Sequence, residues 1–357
     1  MDEKKKQEAD LRNEVAGLDA DLVALLDKRA KVAKRIGHLK EGDQVTFPLD
    51  ENATLEALLA KSNGEMPKDA LREVVRAVHS NCLALEMPVP VAFVGPEGGM
   101  GHAAARSRFG VTANLGVSEN VAAALDEVVR KRAQFAVVPF ETRIDGPVHS
   151  TIMALMASDL RVVFCFDSAV SLDLVSKTGN AGDVEKIYAT AADHVLCEAF
   201  LSAEFPKAQI MDVKSPMMAC RMVAEDHGGA ALAAPTFGES LGLRVVRSRV
   251  QNQSEDRVRY AVVGQRPSTR TGNDSTAIVL SVNDSPGALH AVLKQFADRD
   301  INLSRIQSRP TSGEAWAYLF LVEVAGHVTD RNVVSAMEEV KRLTKFVKVL
   351  GSYPTLS

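Results

Sequence analysis

A proline-free run from about Glu8 to Lys40 restricts what the first part of this 357-residue chain can form. Apolar residues recur along it at spacings of three and four, the period of an α-helix with one apolar face. These residues are Leu11, Val15, Leu18, Leu22, Leu25, Leu26, Val32, Ala33, Ile36 and Leu39. Later breaks at proline and glycine predict two shorter helices, at about 50–61 and 68–86. Because so long a first helix would leave its apolar face uncovered, we expect a dimer.

Composition narrows the class of protein. Hydrophobic residues make up 46% of the chain and charged residues 25%, with a net charge of -4, so we expect a globular protein that does not bind nucleic acid. The cysteines have no metal-site spacing and are interpreted as buried free thiols; they are Cys82, Cys165, Cys197 and Cys220. We expect no metal and no cofactor. Without an apolar signal core or a long apolar run, the sequence favours a cytoplasmic location and no membrane contact.

The pattern changes abruptly at Val89, where short β-branched runs alternate with helical stretches. This alternation predicts an α/β domain with a largely parallel sheet. The predicted strands are at 89–95, 135–139, 162–166, 186–189, 230–234 and 260–263. After a polar linker at 265–274, the chain reads strand, helix, strand, strand, helix, strand, which is the ferredoxin-like α+β order. The predicted domains are therefore 1–88, 89–266 and 274–357.

Cations on the first helix suggest a binding site. Arg29 and Lys40 are eleven residues apart, about three turns, and project from the same side. Arg12 is rotated by about a quarter turn or more, so it would more easily serve the site of a neighbouring chain.

The segment LRNEVAGLDADLVALLDKRAKVAKRIGHLK resembles the leading helix of the helical chorismate mutases. The resemblance implies that the three cations bind the carboxylates and ether oxygen of chorismate, and that Glu51 contacts its hydroxyl. It also places Cys82 and Glu86 in the site, where Glu86 must carry a proton to donate a hydrogen bond to the ether oxygen. Mutase activity is then expected to fall as the pH rises. Asp50 departs from the family, which usually has arginine there.

Residues 90–265 resemble prephenate dehydratases, beginning with VAFVGPEGG. The resemblance implies two α/β lobes with prephenate bound between them. Thr151 and Ser215 match hydroxyl positions of the family, and Arg259 could bind a carboxylate. The family's Thr-Arg-Phe signature has Val258 in the place of its threonine, and valine cannot donate a hydrogen bond. Three alternatives follow: weak dehydration of prephenate, another reaction such as decarboxylation without dehydration, or a structural remnant.

The C-terminal part resembles the ACT domains of phenylalanine-controlled dehydratases, through NDSPGALH and the end FVKVLGSYP. The resemblance implies an L-Phe site at a subunit interface, formed by two motifs. They are Gly287, Ala288 and Leu289, and Gln307, Ser308, Arg309 and Pro310. Backbone donors at the start of a helix suit an amino-acid carboxylate. The three parts together are similar to bifunctional chorismate mutase/prephenate dehydratases of L-phenylalanine biosynthesis. The alternative from another class is a non-catalytic allosteric adaptor.

Overall fold

The computed structural model describes residues 2–39, 55, 57–86, 89–143, 146–235, 237–252, 257–310 and 318–355. These residues form two compact units. One contains the described residues up to Val89 together with Arg106–Asn114, and the other contains Pro90–Ala105 and the described residues from Leu115 on. None of the helices in these ranges is both long and apolar enough to span a membrane. Within the same ranges no group of three or more His, Cys, Asp or Glu side chains could hold a metal ion.

The first unit is built on two helices, α1 (Asp2–Leu39) and α2 (Lys68–Glu86), which confirms the predicted first and third helices. Of the predicted second helix, residues 55 and 57–59 are helical and most of the others lie outside the described residues. The Arg29 guanidinium donates to the carbonyl of Val78, and a Cβ added to Gly37 would lie 2.6 Å from the carbonyl oxygen of Glu86. From the first contact to the second, the residue number rises by eight on both helices, so α1 and α2 run parallel.

Little of the apolar face of α1 is covered within this unit. Among the described residues of this unit, the buried apolar ones are Ala33, Leu55, Leu59, Leu83 and Phe109, and Ala33 alone belongs to α1. Leu18 and Leu25 are 63% and 64% exposed. An apolar stripe of this length on a helix that is open to solvent marks an interaction surface.

The second unit contains two mixed α/β sheets and a third, antiparallel sheet. Helix α3 (Met100–Phe109) has its residues up to Ala105 in this unit. The other helices are α4 (Val121–Val129), α5 (His149–Met156), α6 (Ala191–Glu204), α7 (Pro216–Glu225), α8 (Ala288–Ala297) and α9 (Arg331–Leu343). Its strands are β1 (Val91–Val94), β2 (Leu115–Ser118), β3 (Phe135–Thr142), β4 (Gly146–Pro147), β5 (Arg161–Ala169), β6 (Asp173–Ser176), β7 (Lys186–Ala189), β8 (Gln209–Asp212), β9 (Gly229–Ala233), β10 (Arg244–Arg247), β11 (Arg257–Gly264), β12 (Asp274–Ser281), β13 (Leu303–Pro310), β14 (Tyr318–Ala325) and β15 (Phe346–Pro354).

The first two sheets are the two predicted lobes. The first has the order β2-β1-β3-β11-β5, with β4 paired to β3, and the second has the order β10-β6-β9-β7-β8. In each sheet three neighbouring strands are parallel, and the rest pair antiparallel. Strands β1, β2, β3 and β5 of the first sheet run in one direction, as do β7, β8, β9 and β10 of the second. The prediction of a largely parallel sheet therefore holds for strand direction, but one antiparallel strand inserted in each sheet, β11 or β6, makes the pairing mixed. Strands β5 and β11 are buried apolar runs, which usually indicate a parallel sheet, but both pair antiparallel.

The third sheet has the order β13-β14-β12-β15 and confirms the predicted ferredoxin-like fold. Helices α8 and α9 cover one face through a core that includes Val292, Phe296 and Val340. Residues of its other face, among them Val279 and Tyr353, belong to the same core as Val162 of β5 and Val263 of β11. The predicted linker separates β11 from β12, and its Ser268 donates a hydrogen bond to the carbonyl of Ser352. The dehydratase-type and ACT-type parts therefore share one core.

The cysteines are free, as predicted. Cys165, Cys197 and Cys220 are buried, and Cys82 is half-buried. Burial raises the pKa of Cys197 to about 12 and that of Cys220 to about 11. These two thiols therefore stay neutral and unreactive at neutral pH.

Candidate functional site

In the helical unit, Arg29 lies against the α2 face that carries two further predicted site residues. Its Nη1 is 3.4 Å from the carbonyl oxygen of Val78, and Cys82 and Glu86 follow at intervals of four residues on α2. Residues four apart share one side of a helix. Cys82 and Glu86 are half-buried, so both are partly accessible to a small molecule beside Arg29.

Arg12 lies elsewhere on the same helix. It precedes Arg29 by seventeen residues, which corresponds to about 25 Å along the axis. Its guanidinium pairs with Glu8 at 2.6 Å on an exposed surface. One small ligand cannot contact both arginines of one chain. Lys40 and Glu51 lie outside the described residues.

The dehydratase-type site is expected at the carboxyl ends of parallel strands, where ligands of open α/β sheets bind. Strand β1 ends there in a glycine turn, in which Gly98 has φ 84°. The Met217 amide donates to the carbonyl of Glu97, and a Cβ on Gly98 would lie 2.7 Å from the Met217 nitrogen. Ser215 caps α7 by accepting from Met218 N at 3.2 Å. The glycine turn of the first lobe thus meets the Ser215 end of α7 in the second.

Thr151, predicted to bind prephenate, is fully buried near the start of α5. Its hydroxyl donates to the carbonyl of Pro139 at 2.5 Å. Substrate could reach this hydroxyl only if that bond broke and the surroundings opened. The geometry favours a structural role for Thr151, which ties α5 to β3.

Val258 lies near the start of β11, between two residues with hydroxyl groups. In the sheet register its partners are Thr142 on β3 and Ser168 on β5. Directly opposite residues of neighbouring strands present their side chains on the same face. The hydroxyl that is absent at Val258 is therefore present at both adjacent positions. Thr142 also stands at the carboxyl end of β3, where the site is expected.

Arg259 points into a cluster of charges. Its Nε is 3.2 Å from Asp167 Oδ1, and its Nη1 is 3.5 Å from Glu141 Oε2 and 3.8 Å from Glu323 Oε2. Glu141 also pairs closely with Arg305. Burial lowers the pKa of Arg259, but the nearby negative groups, chiefly Asp167, raise it by more. The guanidinium remains charged and largely paired, so its role in binding a substrate carboxylate stays a prediction.

Four members of this cluster were not among the site residues of the sequence analysis: Glu141, Asp167, Arg305 and Glu323. One signal was available, because Glu323 lies within the apolar run YLFLVEVA of β14. A charged residue in a buried strand needs a partner of opposite charge. The sequence does not identify that partner, since Arg259 and Arg305 belong to two different domains.

In the ACT-type domain the two effector motifs lie at one end of the sheet. Strands β12 and β13 both pair antiparallel with β14, so they run in the same direction and end at the same edge. Gly287 follows β12, with φ 82°, and precedes α8. Ser308, Arg309 and Pro310 end β13. Topology therefore brings the motifs to one edge, and the contact of their side chains with an effector stays a prediction.

Gln307 of the second effector motif contacts the dehydratase-type lobe. A Cβ added to Gly146 would lie 2.8 Å from its Oε1 and 2.9 Å from its Nε2. Gly146 belongs to β4, which pairs with β3 through Thr142. The motif strand therefore contacts the lobe that carries the predicted prephenate site.

Comparison with known proteins finds matching families in the order that the fold displays. Residues 11–87 match the model of chorismate mutase type II, 91–268 match prephenate dehydratase and 276–342 match the ACT domain. The fold and the site thus define a class of multidomain protein in which a helical mutase-type domain precedes a two-lobed dehydratase-type domain and an ACT domain.

Similarity extends over nearly the whole chain. The bifunctional chorismate mutase/prephenate dehydratase of Aquifex aeolicus is 34% identical over 351 residues, covering 97% of each chain. The enzyme of that name from Neisseria gonorrhoeae is 30% identical, covering 96% of each. A crystal structure of prephenate dehydratase in complex with L-Phe from Arthrobacter aurescens is 30% identical with a TM-score of 0.64, covering 75% of this chain and 90% of that one. This chain belongs to the family of bifunctional chorismate mutases/prephenate dehydratases.

Proposed function

We propose that this protein converts chorismate to prephenate and prephenate to phenylpyruvate in L-phenylalanine biosynthesis, under feedback control by L-Phe. The observation that carries the proposal is the near-full-length similarity to bifunctional enzymes, with all three domains in order. The neutral buried thiols are consistent with a reducing cytoplasm, where we place the protein.

The mutase reaction needs no nucleophile. Chorismate is a dianion that must be held in a compact conformer while charge develops on its ether oxygen. Arg29 and Lys40 of one chain would bind these negative groups, with Glu51 at the substrate hydroxyl. Glu86 of α2, eight residues after the Val78 carbonyl that Arg29 contacts, would donate a proton in a hydrogen bond to the ether oxygen. Half-buried Cys82 would line the same face.

Arg12 would complete the site from a second copy of the chain. It is about 25 Å from Arg29 along one helix, and the stripe that includes Leu18 and Leu25 is exposed over the intervening length. A partner helix covering that stripe would remove the apolar surface from water and bring its own Arg12 towards Arg29. We therefore propose a homodimer, or a higher oligomer built from it, as the active form.

For the middle domain we propose dehydration of prephenate. The ring hydroxyl leaves as water after gaining a proton, carbon dioxide departs, and the electron pair of the broken carbon–carbon bond completes the aromatic ring. Proton donation to the leaving oxygen contributes a modest part of such a rate. Thr142 and Ser168 flank Val258 in the sheet, so one of their hydroxyls could assist departure.

One observation favours a second candidate reaction in this domain. Val258 replaces the threonine of the family signature, and a decarboxylation that retains the ring hydroxyl has no use for that threonine. The electron pair of the broken carbon–carbon bond would take up a proton from solvent at a ring carbon, and the product would be a non-aromatic acid. In this alternative the hydroxyls of Thr142 and Ser168 would bind the retained hydroxyl of the substrate.

L-Phe would bind at the edge where Gly287 and Pro310 lie. The α8 N-terminus offers backbone donors to a carboxylate, and a second subunit would enclose the ring. A ligand that binds one conformation better shifts the equilibrium towards it.

Product identification tests the function. Purified protein is mixed with chorismate and quenched at neutral pH, because acid aromatises prephenate without an enzyme. Phenylpyruvate supports the bifunctional enzyme, accumulated prephenate indicates a mutase alone, and a non-aromatic decarboxylated acid supports the second reaction. Unchanged chorismate would indicate the adaptor and refute the proposal.

A further inference from the structure

Two cross-strand pairs of opposite charge face each other where the ACT-type sheet meets the first dehydratase-type lobe. Glu141 and Arg259 are register partners on β3 and β11, and Arg305 and Glu323 are register partners on β13 and β14. Each pair belongs to its own sheet. Both lie beside an irregularity in the strand register, between Arg259 and Tyr260 and between Leu303 and Arg305.

The two pairs form a quartet in which the signs of charge alternate, and Asp167 lies beside it as a third carboxylate, 3.2 Å from Arg259 Nε. Glu141 lies between Arg259 at 3.5 Å and Arg305, its closest partner. Glu323 lies 3.8 Å from each of the same two arginines. The four side chains are between 10% and 23% exposed. Charges so poorly solvated depend strongly on one another, because removal of one leaves its partners uncompensated.

The quartet adjoins the predicted prephenate site on both strands. Arg259 follows Val258, and Glu141 precedes Thr142, which is the partner of Val258 across the sheet. Arg305 and Glu323 form ion pairs with Glu141 and Arg259. A change in these ion pairs would therefore change the geometry at the end of β3 and the start of β11.

The same face of β13 makes a second contact with this region. Gln307, two residues after Arg305, lies against Gly146, the register partner of Thr142. At the far end of α5, the ammonium of Lys348 on β15 donates to the carbonyls of Met156 and Ser158 at 2.8 and 2.5 Å. The ACT-type sheet thus holds both ends of the segment that runs from β3 through α5.

We propose that Arg305 and Glu323 are positioning residues that link the effector strand β13 to prephenate binding. The link rests on the proposed function, because it requires that the middle domain binds prephenate and the ACT-type domain binds L-Phe. When an effector binds and β13 moves, the distance from Glu141 to Arg305 changes, and the ion pair of Glu141 with Arg259 strengthens or weakens in response. The geometry at the end of β3 and the start of β11 then changes, and so does the net charge that faces a dianionic substrate.

The test compares Arg305→Gln/Glu323→Gln with a matched control, Arg342→Gln/Glu339→Gln, which removes an exposed pair of 2.7 Å from α9. In the full chain, calorimetry measures L-Phe affinity, and steady-state rates give the KM for prephenate with and without L-Phe. The quartet variant should bind L-Phe within about twofold of wild type, while the effect of L-Phe on KM should shrink at least about fivefold, the size of a typical coupling. The control should keep the full response. An unchanged response in the quartet variant, with L-Phe still bound, would overturn the link.

Single variants separate positioning from simple loss of structure. Arg305→Gln removes a positive charge near a dianion and should raise the KM for prephenate, whereas Glu323→Gln removes a negative charge and should lower it, each by about threefold. A merely structural role would shift both in the same direction and overturn the proposal. If wild type neither binds nor converts prephenate, the proposed function itself fails, which is a different result from an unaltered L-Phe response.

Discussion

The two units of the molecule bury their apolar surfaces differently. In the helical unit, α1 leaves a long apolar stripe in water, with Leu18 and Leu25 more than half exposed. In the second unit the ACT-type sheet is covered on both faces, by its own helices and by β5 and β11. One unit therefore leaves an apolar surface that we propose a second chain covers, whereas in the other the ACT-type sheet is buried within the chain.

Two charged substitutions in the exposed stripe of α1 test whether a second chain covers it. Leu18→Asp/Leu25→Asp places charges in the exposed stripe and should prevent a second α1 from covering it. Because Arg12 of the partner is then lost from the site, mutase turnover should fall at least about 100-fold. Light scattering and chorismate consumption measure the two effects.

Prephenate turnover provides the control for this variant. It should stay near the wild-type rate, because the dehydratase-type domain belongs to the other unit. A variant that became monomeric and kept its mutase rate would contradict the shared site.

One added methyl group tests the shared core between the ACT-type sheet and the first lobe. A Cβ on Gly351 would overlap the backbone of Val162, where β15 packs on β5. Neither backbone can move without disturbing the shared core, so Gly351→Ala should lower the free energy of unfolding of the second unit by about 2 kcal/mol. Urea unfolding followed by circular dichroism measures the change.

Gly182→Ala is the matched variant for that measurement. Its added Cβ would meet Asn180 at 3.6 Å, an ordinary contact, and its stability should stay within about 0.5 kcal/mol of wild type. Equal stability of the two variants would show that the packing of β15 on β5 is looser than described.

The strength of the local sequence pattern, and burial of strands by the ACT-type domain, explain which elements the sequence could predict. The long helix α1, helix α2 and the βαββαβ order were predictable because their periodicity is strong. Five short strands, β2, β4, β6, β8 and β10, were missed, since two to four residues carry little pattern. The antiparallel pairing of β5 and β11 was misjudged because the ACT-type sheet covers one of their faces, and strands buried on both faces have the apolar runs that are typical of parallel sheets.

The candidate sites divide in the same way. Arg29 and Glu86 were predicted together through the resemblance of both helices to chorismate mutases, and their roles stay predictions. The charge quartet could not, because its members come from four strands in two domains. The sequence shows that Thr151 places a hydroxyl at a family position. Only the fold shows that this hydroxyl is buried and donates a hydrogen bond to the carbonyl of Pro139.

One substitution on β11 tests which reaction the middle domain catalyses. Val258→Thr restores a hydroxyl between Thr142 and Ser168 at nearly constant volume. If proton donation to the leaving hydroxyl limits the reaction, phenylpyruvate formation should rise about tenfold. Ser168→Ala should lower the rate more in wild type than in Val258→Thr, because the second hydroxyl then compensates. A rate that is unchanged by Val258→Thr would favour decarboxylation with retention of the hydroxyl.

The smallest expected effect tests which face of α1 a second chain covers. Gly17 shares its side of the helix with Asp10, Asp21 and Lys28, which are seven, four and eleven residues away, and nothing lies within 4 Å of a Cβ placed there. Gly17→Ala should therefore raise the stability of the helical unit by about 1 kcal/mol through helix propensity alone.

Gly37→Ala has the same intrinsic gain but should lower stability by about 1 kcal/mol, because its Cβ would meet the carbonyl oxygen of Glu86 at 2.6 Å. The temperature at which mutase activity is lost should move up for the first variant and down for the second. If Gly17→Ala instead lowered that temperature, the partner chain would have to pack on the polar face of α1, and the dimer built on Leu18 and Leu25 would be wrong.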